Sequence, residues 1–213
     1  MLHRIAKQFD LTDLRALHIG AHRCQEAPDY HKLKFRSVLW LEANPACVVH
    51  IEKALEPYEN QKYMQALVLD PENSGKKVTF NVSGGGKRNE GQSSSVLLMH
   101  KHRKFFPNID MVSQLDLRAT TVDELVDGQI FDWITIDVQG AELLALQGAE
   151  DTLQDVQYVL AEVNVQELYH GCVLLPDLDA FMAKQSFIRT ITRLKRKNDC
   201  AWGNAFYEKM KIG

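Results

Sequence analysis

Residues 132–142 read Asp132-Trp133-Ile134-Thr135-Ile136-Asp137-Val138-Gln139-Gly140-Ala141-Glu142. A short apolar run, Phe131 to Ile136, ends on a carboxylate, and Gly140 then leads into a helical pattern over Ala141 to Leu146. Such a pattern predicts a strand that delivers a side chain at its carboxyl end and passes at once into a helix. Open α/β sheets place their ligands at ends of this kind. Two further strands finish in the same way: Leu14–Ile19 stops at Gly20, and Ser37–Leu41 stops on Glu42. Together the three ends predict one nucleotide-type pocket along a single sheet edge.

Outward from this stretch, apolar strand-like runs alternate with amphipathic runs, and no internal repeat is present. A short helix is expected near Glu26 to Lys34, and a second from Asn44-Pro45 through Leu55, where proline suits the first turn. Tyr63–Leu69 reads as the third strand and Lys77–Val82 as a further one. Residues Ser83 to Ser95 form a Gly/Ser-rich polar stretch, expected to be a flexible loop and, over the pocket, a lid. His100-Lys101-His102-Arg103-Lys104 reads as a solvated face able to attract an anionic group. Thr121 with Glu124 matches a capping box. Val156–Val163 is the fifth strand, Pro176–Lys184 a helix, and Phe187–Arg193 with Ala201–Tyr207 a closing hairpin. Strands alternating with helices imply an α/β fold: a mostly parallel sheet with helices on both faces and an antiparallel terminal hairpin.

The chain has 213 residues, which fits one domain spanning 1–213, and 45% of them are hydrophobic, enough for a substantial core. No run approaches the about 18 apolar residues needed to cross a bilayer, so no membrane association is expected. The N-terminus lacks the apolar segment of a secretory signal. A net charge of −3 gives no global positive field, and no nucleic-acid partner is expected. Cys24, Cys47, Cys172 and Cys200 are too dispersed for a zinc ribbon or a disulfide framework and read as reduced thiols, small buried hydrophobes of a cytoplasmic protein.

The turn after the first strand is Gly20-Ala21-His22-Arg23-Cys24-Gln25, without the further glycines that bring backbone amides against a pyrophosphate. No P-loop is present either. Glu42 lies 22 residues after Gly20, where an acid can accept both ribose hydroxyls. One glycine turn with one ribose-binding acid fits S-adenosylmethionine, which has a ribose and no phosphate.

These residues also carry a resemblance. Trp133 to Ala149, with Ile136-Asp137-Val138-Gln139-Gly140-Ala141-Glu142 and Leu146-Gln147-Gly148-Ala149, resembles the signature of the FkbM-type methyltransferases, K-I-D-V-E-G-A-E followed by L-x-G-A. His18-Ile19-Gly20-Ala21-His22 is similar to that family's D-I-G-A-N, Leu41-Glu42-Ala43-Asn44-Pro45 to its E-P-N-P, and Arg118 to Leu125 to its threonine-leucine-aspartate segment. The similarity runs from about residue 14 to 193. It implies a class I methyltransferase (Rossmann-like) fold, S-adenosylmethionine as methyl donor, and O-methylation of a sugar, glycan or polyketide-like hydroxyl. His18 and Gln139 stand where the family has aspartate and glutamate. On this resemblance the cofactor set is His18, Gly20, Ala21, Glu42, Ala43, Ser94, Ser95, Asp137 and Gln139.

The chemistry needs an aligned acceptor oxygen and a group to take its proton. Asp137 is the central candidate, as a hold on the methionine amine, a proton acceptor or a metal ligand; a plain helix cap is its structural alternative. Glu142 suits the first turn of its helix. Glu162 and Asn164, ending the fifth strand, join Asp137 as oxygen ligands of a kind that Mg2+ accepts. His22 and His170 are candidate bases, and the catalytic set is Asp137, Glu162 and His170. Two other functions compete: a nicotinamide-dependent oxidoreductase, and an S-adenosylmethionine-binding module that no longer catalyses. The acceptor and the oligomeric state are not readable from the chain.

Overall fold

The computed structural model describes residues 1–85, 90–197 and 200–210. Its strands are β1 Arg15–Ile19, β2 Ser37–Glu42, β3 Gln61–Gln65, β4 Leu67–Val68, β5 Lys77–Gly84, β6 Asp110–Thr120, β7 Trp133–Ile136, β8 Tyr158–Asn164, β9 Phe187–Lys197 and β10 Cys200–Lys209. Its helices are α1 Leu2–Ile5, α2 Ala27–Lys32, α3 Val48–Leu55, α4 His102–Phe105, α5 Val122–Val126, α6 Glu142–Gln147, α7 Thr152–Asp155 and α8 Leu175–Lys184.

Seven strands form the central sheet in the order β3-β2-β1-β7-β8-β10-β9. The first five are parallel, and β10 runs antiparallel to both β8 and β9. The expected closing hairpin is therefore present, inserted so that its second strand meets β8. The order turns back between β1 and β7, and this switch point brings Gly20 and Asp137 side by side.

Period-two alternation explains why both faces are covered. Leu17, Ile19, Ile134, Ile136, Val159 and Ala161 point to one face, where α5, α6 and α8 pack through Val122, Leu146 and Met182. Ala16, Val38, Trp40, Trp133, Leu160 and Phe206 point to the other, against α1, α2 and α3 through Ile5, Tyr30 and Ile51. Trp40 and Trp133 are fully buried. Each such side chain contributes on the order of 1.5–3 kcal/mol of burial free energy.

Several expectations change. The strand read at Tyr63–Leu69 is two: β3 pairs with β2 in the main sheet, while β4 leaves it to pair with β6 in a second sheet of order β4-β6-β5. Strand β6, eleven residues long, was not expected at all. Its outer residues are polar or exposed, while Met111, Leu115, Leu117 and Ala119 turn inward. The ends of the Gly/Ser-rich stretch are structured: Ser83 and Gly84 belong to β5, Asn81 bridges Ser95, and Ser93 and Ser95 are buried. Residues 86–89 of that stretch lie outside the described residues. His102, taken as part of a solvated face, is buried in α4, and burial pushes its pKa down to about 4. Cys24, Cys47 and Cys172 are buried free thiols, as expected. Among the described residues no helix is long and apolar enough to cross a membrane.

Candidate functional site

The carboxyl ends of β1, β2, β7 and β8 open into a cavity of about 870 Å³, in the upper part of the range of roughly 300–1,000 Å³ common for small-molecule sites. Gly20 makes its floor possible. It has φ +88°, and a Cβ there would sit 1.9 Å from the carbonyl oxygen of Asp137. The turn amides of Gly20 and Ala21 both donate to the Leu41 carbonyl at 2.9 Å. They are spent on the sheet rather than offered to a phosphate.

Glu42 closes the next strand with 9% of its surface exposed. Its Oε2 accepts the His22 amide at 2.6 Å and its Oε1 the Asn44 amide at 2.7 Å. Burial raises its pKa, and the backbone amides oppose that rise. The carboxylate is thus fixed in orientation at the cavity wall, with lone pairs left over for further donors. Ala43 lines the same wall.

The centre is an acid pair bridged by an amide. Gln139 Nε2 donates to Asp137 Oδ1 at 2.6 Å and to Glu162 Oε2 at 2.8 Å, while the Tyr169 hydroxyl donates to Gln139 Oε1 at 2.8 Å. Gln139 reaches both acids because it sits in the left-handed region, φ +57°, immediately before Gly140. Burial raises the pKa of Glu162 well above the carboxylate range, with the charges of Asp137 and Glu142 adding to it. Burial also raises Asp137, but hydrogen bonds from Gln139 and Glu162 pull it back. Both acids are thus pushed up, Glu162 more strongly than Asp137, and their protons belong to the pair rather than to either residue alone.

Asp137 is not the cap of the turn. That role falls to Glu142, fully buried, whose Oε1 accepts the amides of Val138 and Gly140 at 3.1 Å each. Its Oε2 has no partner. Burial first, then the Asp137 charge, pushes its pKa up to about 7. A folded-state pKa above the unfolded value means that the native state binds the extra proton, so stability is lost as pH rises from about 4.5 to about 7. Urea unfolding at pH 5 and pH 7.5 is expected to show a loss of up to about 3 kcal/mol. Glu142→Gln should flatten that slope.

The remaining candidates separate. His18 lines the cavity but is almost fully buried, its ring stacked on Trp40 at 4.3 Å with Nδ1 3.1 Å from the Tyr30 hydroxyl. Burial pushes its pKa down to about 3, so it is neutral. His22 lines the cavity, but Gln25 Nε2 donates to its Nδ1 at 2.8 Å, leaving Nε2 to donate to the Glu90 carbonyl at 2.9 Å. Neither nitrogen is then left to act as a base. Ser94 lines the cavity; Ser95 does not, its hydroxyl donating to the Gln139 carbonyl at 2.9 Å from behind the wall. His170 is also not on the wall. It is exposed and stacks on His100 outside the cavity, so the expected third catalytic residue is not brought to Asp137 and Glu162. Asn164, 2% exposed, lines the cavity with its Nδ2 unpartnered. Sequence reasoning missed Tyr169, Trp202 and Phe106, which border the cavity from distant segments. Only their closeness in space marks them.

Carboxylate oxygens of Asp137, Glu142 and Glu162 lie within 4.8 Å of one another. As arranged the set does not fit Mg2+, which demands octahedral oxygens at about 2.0–2.1 Å and retains several waters. The Gln139 amide hydrogens occupy the gap between Asp137 and Glu162, and Glu142 Oε1 is committed to the two backbone amides.

A family model described as the methyltransferase FkbM domain matches residues 18–189. A curated relative, 2-O-methyltransferase NoeI of Sinorhizobium fredii (strain NBRC 101917 / NGR234), is 23% identical over 177 residues, covering 80% of this chain and 72% of its own. Among solved structures, the magnesium protoporphyrin IX methyltransferase of Synechocystis PCC 6803 with bound S-adenosylmethionine superposes with a TM-score of 0.56 at 9% identity, over 98% of this chain and 76% of that one. An rRNA methylase from Streptococcus thermophilus superposes with a TM-score of 0.53 at 9% identity, over 99% of this chain and 94% of that one. The strand order, the glycine turn against Asp137 and the match over residues 18–189 agree: this chain is a methyltransferase with the class I fold and belongs to the FkbM methyltransferase domain family.

Proposed function

We propose that this protein transfers the methyl group of S-adenosylmethionine to a hydroxyl of a sugar, glycan or polyketide-like small molecule. The observation that carries the proposal is the buried acid pair of Asp137 and Glu162, bridged by the Gln139 amide beside Gly20 at the switch point. A sulfonium donor is cationic, and a wall holding the carboxyl groups of Glu42 and Asp137 attracts it while opposing a pyrophosphate. That charge pattern, with the turn amides already committed, argues against a dinucleotide and so against the oxidoreductase reading.

When bound, S-adenosylmethionine supplies an activated methyl group. The protein holds the ribose at Glu42, seats the adenine among Leu67, Leu69 and Phe80, and aligns the acceptor. Asp137 takes the hydroxyl proton as the oxygen attacks, and Gln139 holds the carboxylate in place. The unpartnered Asn164 amide is available to the acceptor, because a buried donor without a partner is costly until a ligand satisfies it. Trp202 and Phe106, both lining the cavity, meet edge to face at 5.4 Å and offer an apolar platform for the face of a sugar ring. The name of the curated relative, a 2-O-methyltransferase, supports oxygen as the acceptor atom.

Calorimetry with S-adenosylhomocysteine, followed by methyl transfer from labelled donor to a panel of hydroxylated acceptors, tests the proposal. Binding with transfer to a sugar, glycan or polyketide-like hydroxyl is expected. Absence of any binding heat overturns it, and binding without transfer to any acceptor favours the inactive module. Glu42→Ala is expected to weaken S-adenosylhomocysteine at least tenfold, since it removes the ribose acceptor and leaves the His22 and Asn44 amides unsatisfied. Unchanged affinity would remove Glu42 from the ribose site.

A further inference from the structure

Outside the cavity, the segment Leu98–His102 lies along the loop Glu167–Gly171. Met99 and Tyr169 form an antiparallel bridge, the His100 amide donates to the Leu168 carbonyl at 2.8 Å, and the His170 amide donates to the Leu98 carbonyl at 2.8 Å. In this register His100 stands opposite Leu168, so His170 is its diagonal neighbour on the same face. Met99 and Tyr169 occupy the opposite, buried face. The two imidazoles stack with centroids 4.3 Å apart. Glu167 joins them: its Oε1 accepts the Gly171 amide at 2.7 Å, which turns Oε2 to within 3.4 Å of His100 Nδ1.

We propose that His100, Glu167 and His170 form a zinc-class divalent metal site on the outer face of this bridge. One ligand atom from each lies within 4.8 Å of the others. Two imidazoles and a carboxylate with a fourth position open to water is a donor set that zinc accepts. Tetrahedral coordination at about 2.0–2.1 Å brings ligand atoms to roughly 3.3 Å apart. The side chains of His100 and Glu167 are 39% and 40% exposed and His170 is also exposed, so rotation that unstacks the rings can close the difference. Lys101 is the nearby cation, and its ammonium is directed to Gln166 Oε1 at 3.5 Å. A bound ion would clamp the two segments together, and Tyr169, on the inner face, holds Gln139 between the acid pair. The site thereby touches the catalytic wall without belonging to it.

Titration of chelator-treated protein with ZnCl2, read by calorimetry and thermal melting, tests the site without any assay of turnover. Wild type should bind one equivalent and melt higher in zinc. Asp137→Asn, which disables the interior acid cluster, should bind zinc equally well. His170→Asn should weaken binding at least tenfold, Glu167→Gln at least threefold, and the double variant His100→Asn/His170→Asn should abolish it, each with the wild-type circular dichroism spectrum. Failure of wild type to bind a stoichiometric ion overturns the proposal, as does unchanged affinity in the double variant or loss of binding in Asp137→Asn alone.

Discussion

Gly20→Ala is expected to abolish S-adenosylhomocysteine binding and to lower stability by several kcal/mol. Two separate effects act at this position. At φ +88° an L side chain is strained, at a cost of about 1–3 kcal/mol. The new methyl group would also overlap the Asp137 carbonyl oxygen at 1.9 Å and press the Val138 side chain at 3.2 Å. Those neighbours immediately follow β7, so relief requires separating β1 from the carboxyl end of β7 at the switch point, and Asp137 moves with it. Gly128→Ala is the control. It has φ +77°, and nothing lies within 4 Å of an added Cβ. It should show the conformational cost alone, with affinity for S-adenosylhomocysteine unchanged. Calorimetry and thermal melting of the two variants separate strain from overlap. If Gly20→Ala binds within twofold of wild type, the close approach of the two strand ends is not what shapes the cofactor floor.

Much of this edge was legible in the chain because it depends on local pattern. Ile134, Ile136 and Asp137 announce a buried strand with an acid at its end, and Gly20 and Glu42 announce the two strand ends beside it. Their meeting follows from right-handed crossovers in a parallel sheet. What was not legible depends on pairing at a distance. Strand β6 is only partly buried, and its apolar alternation, Leu115-x-Leu117-x-Ala119 with Asp116 and Arg118 on the outer face, is confined to its second half. The split of Tyr63–Leu69 turns on β4 finding β6, which no local signal states. Gln139 looked like the loss of a charge. Its left-handed backbone and the Tyr169 hydroxyl behind it make it the clamp that sets the two acids. His18 looked like a change in a ligand contact; it lines the cavity, but its ring is held by stacking on Trp40 and by the Tyr30 hydroxyl. His170 follows from the same limit: Leu168 and Tyr169 of its loop line the cavity, but the side that a residue faces is fixed by the Met99–Tyr169 bridge.

Asp137→Asn is expected to lower kcat by at least about 10²-fold, within the range of about 10²–10⁴ for a general base, while S-adenosylhomocysteine still binds. Asparagine keeps the size of the side chain and an oxygen for the Gln139 amide, but it cannot take a proton. The loss should therefore fall on the chemical step, visible in single-turnover transfer from labelled donor to whichever acceptor the panel identifies. The pH profile distinguishes this role from a structural one. A base works only when ionised, so activity should fall as pH drops through the raised pKa of Asp137, and this acid limb should lie above the ordinary aspartate range. Glu162 stabilises the ionised Asp137 by hydrogen bonding. Glu162→Ala removes that support, so the limb should move to higher pH, whereas Glu162→Gln, which retains a neutral donor, should restore much of it. A variant that merely disturbed packing would lower the plateau and leave the limb where it was. If Asp137→Asn turns over at the wild-type rate, or if the limb is unmoved in Glu162→Ala, the acid pair is not the proton acceptor and the hydroxyl proton leaves by another path.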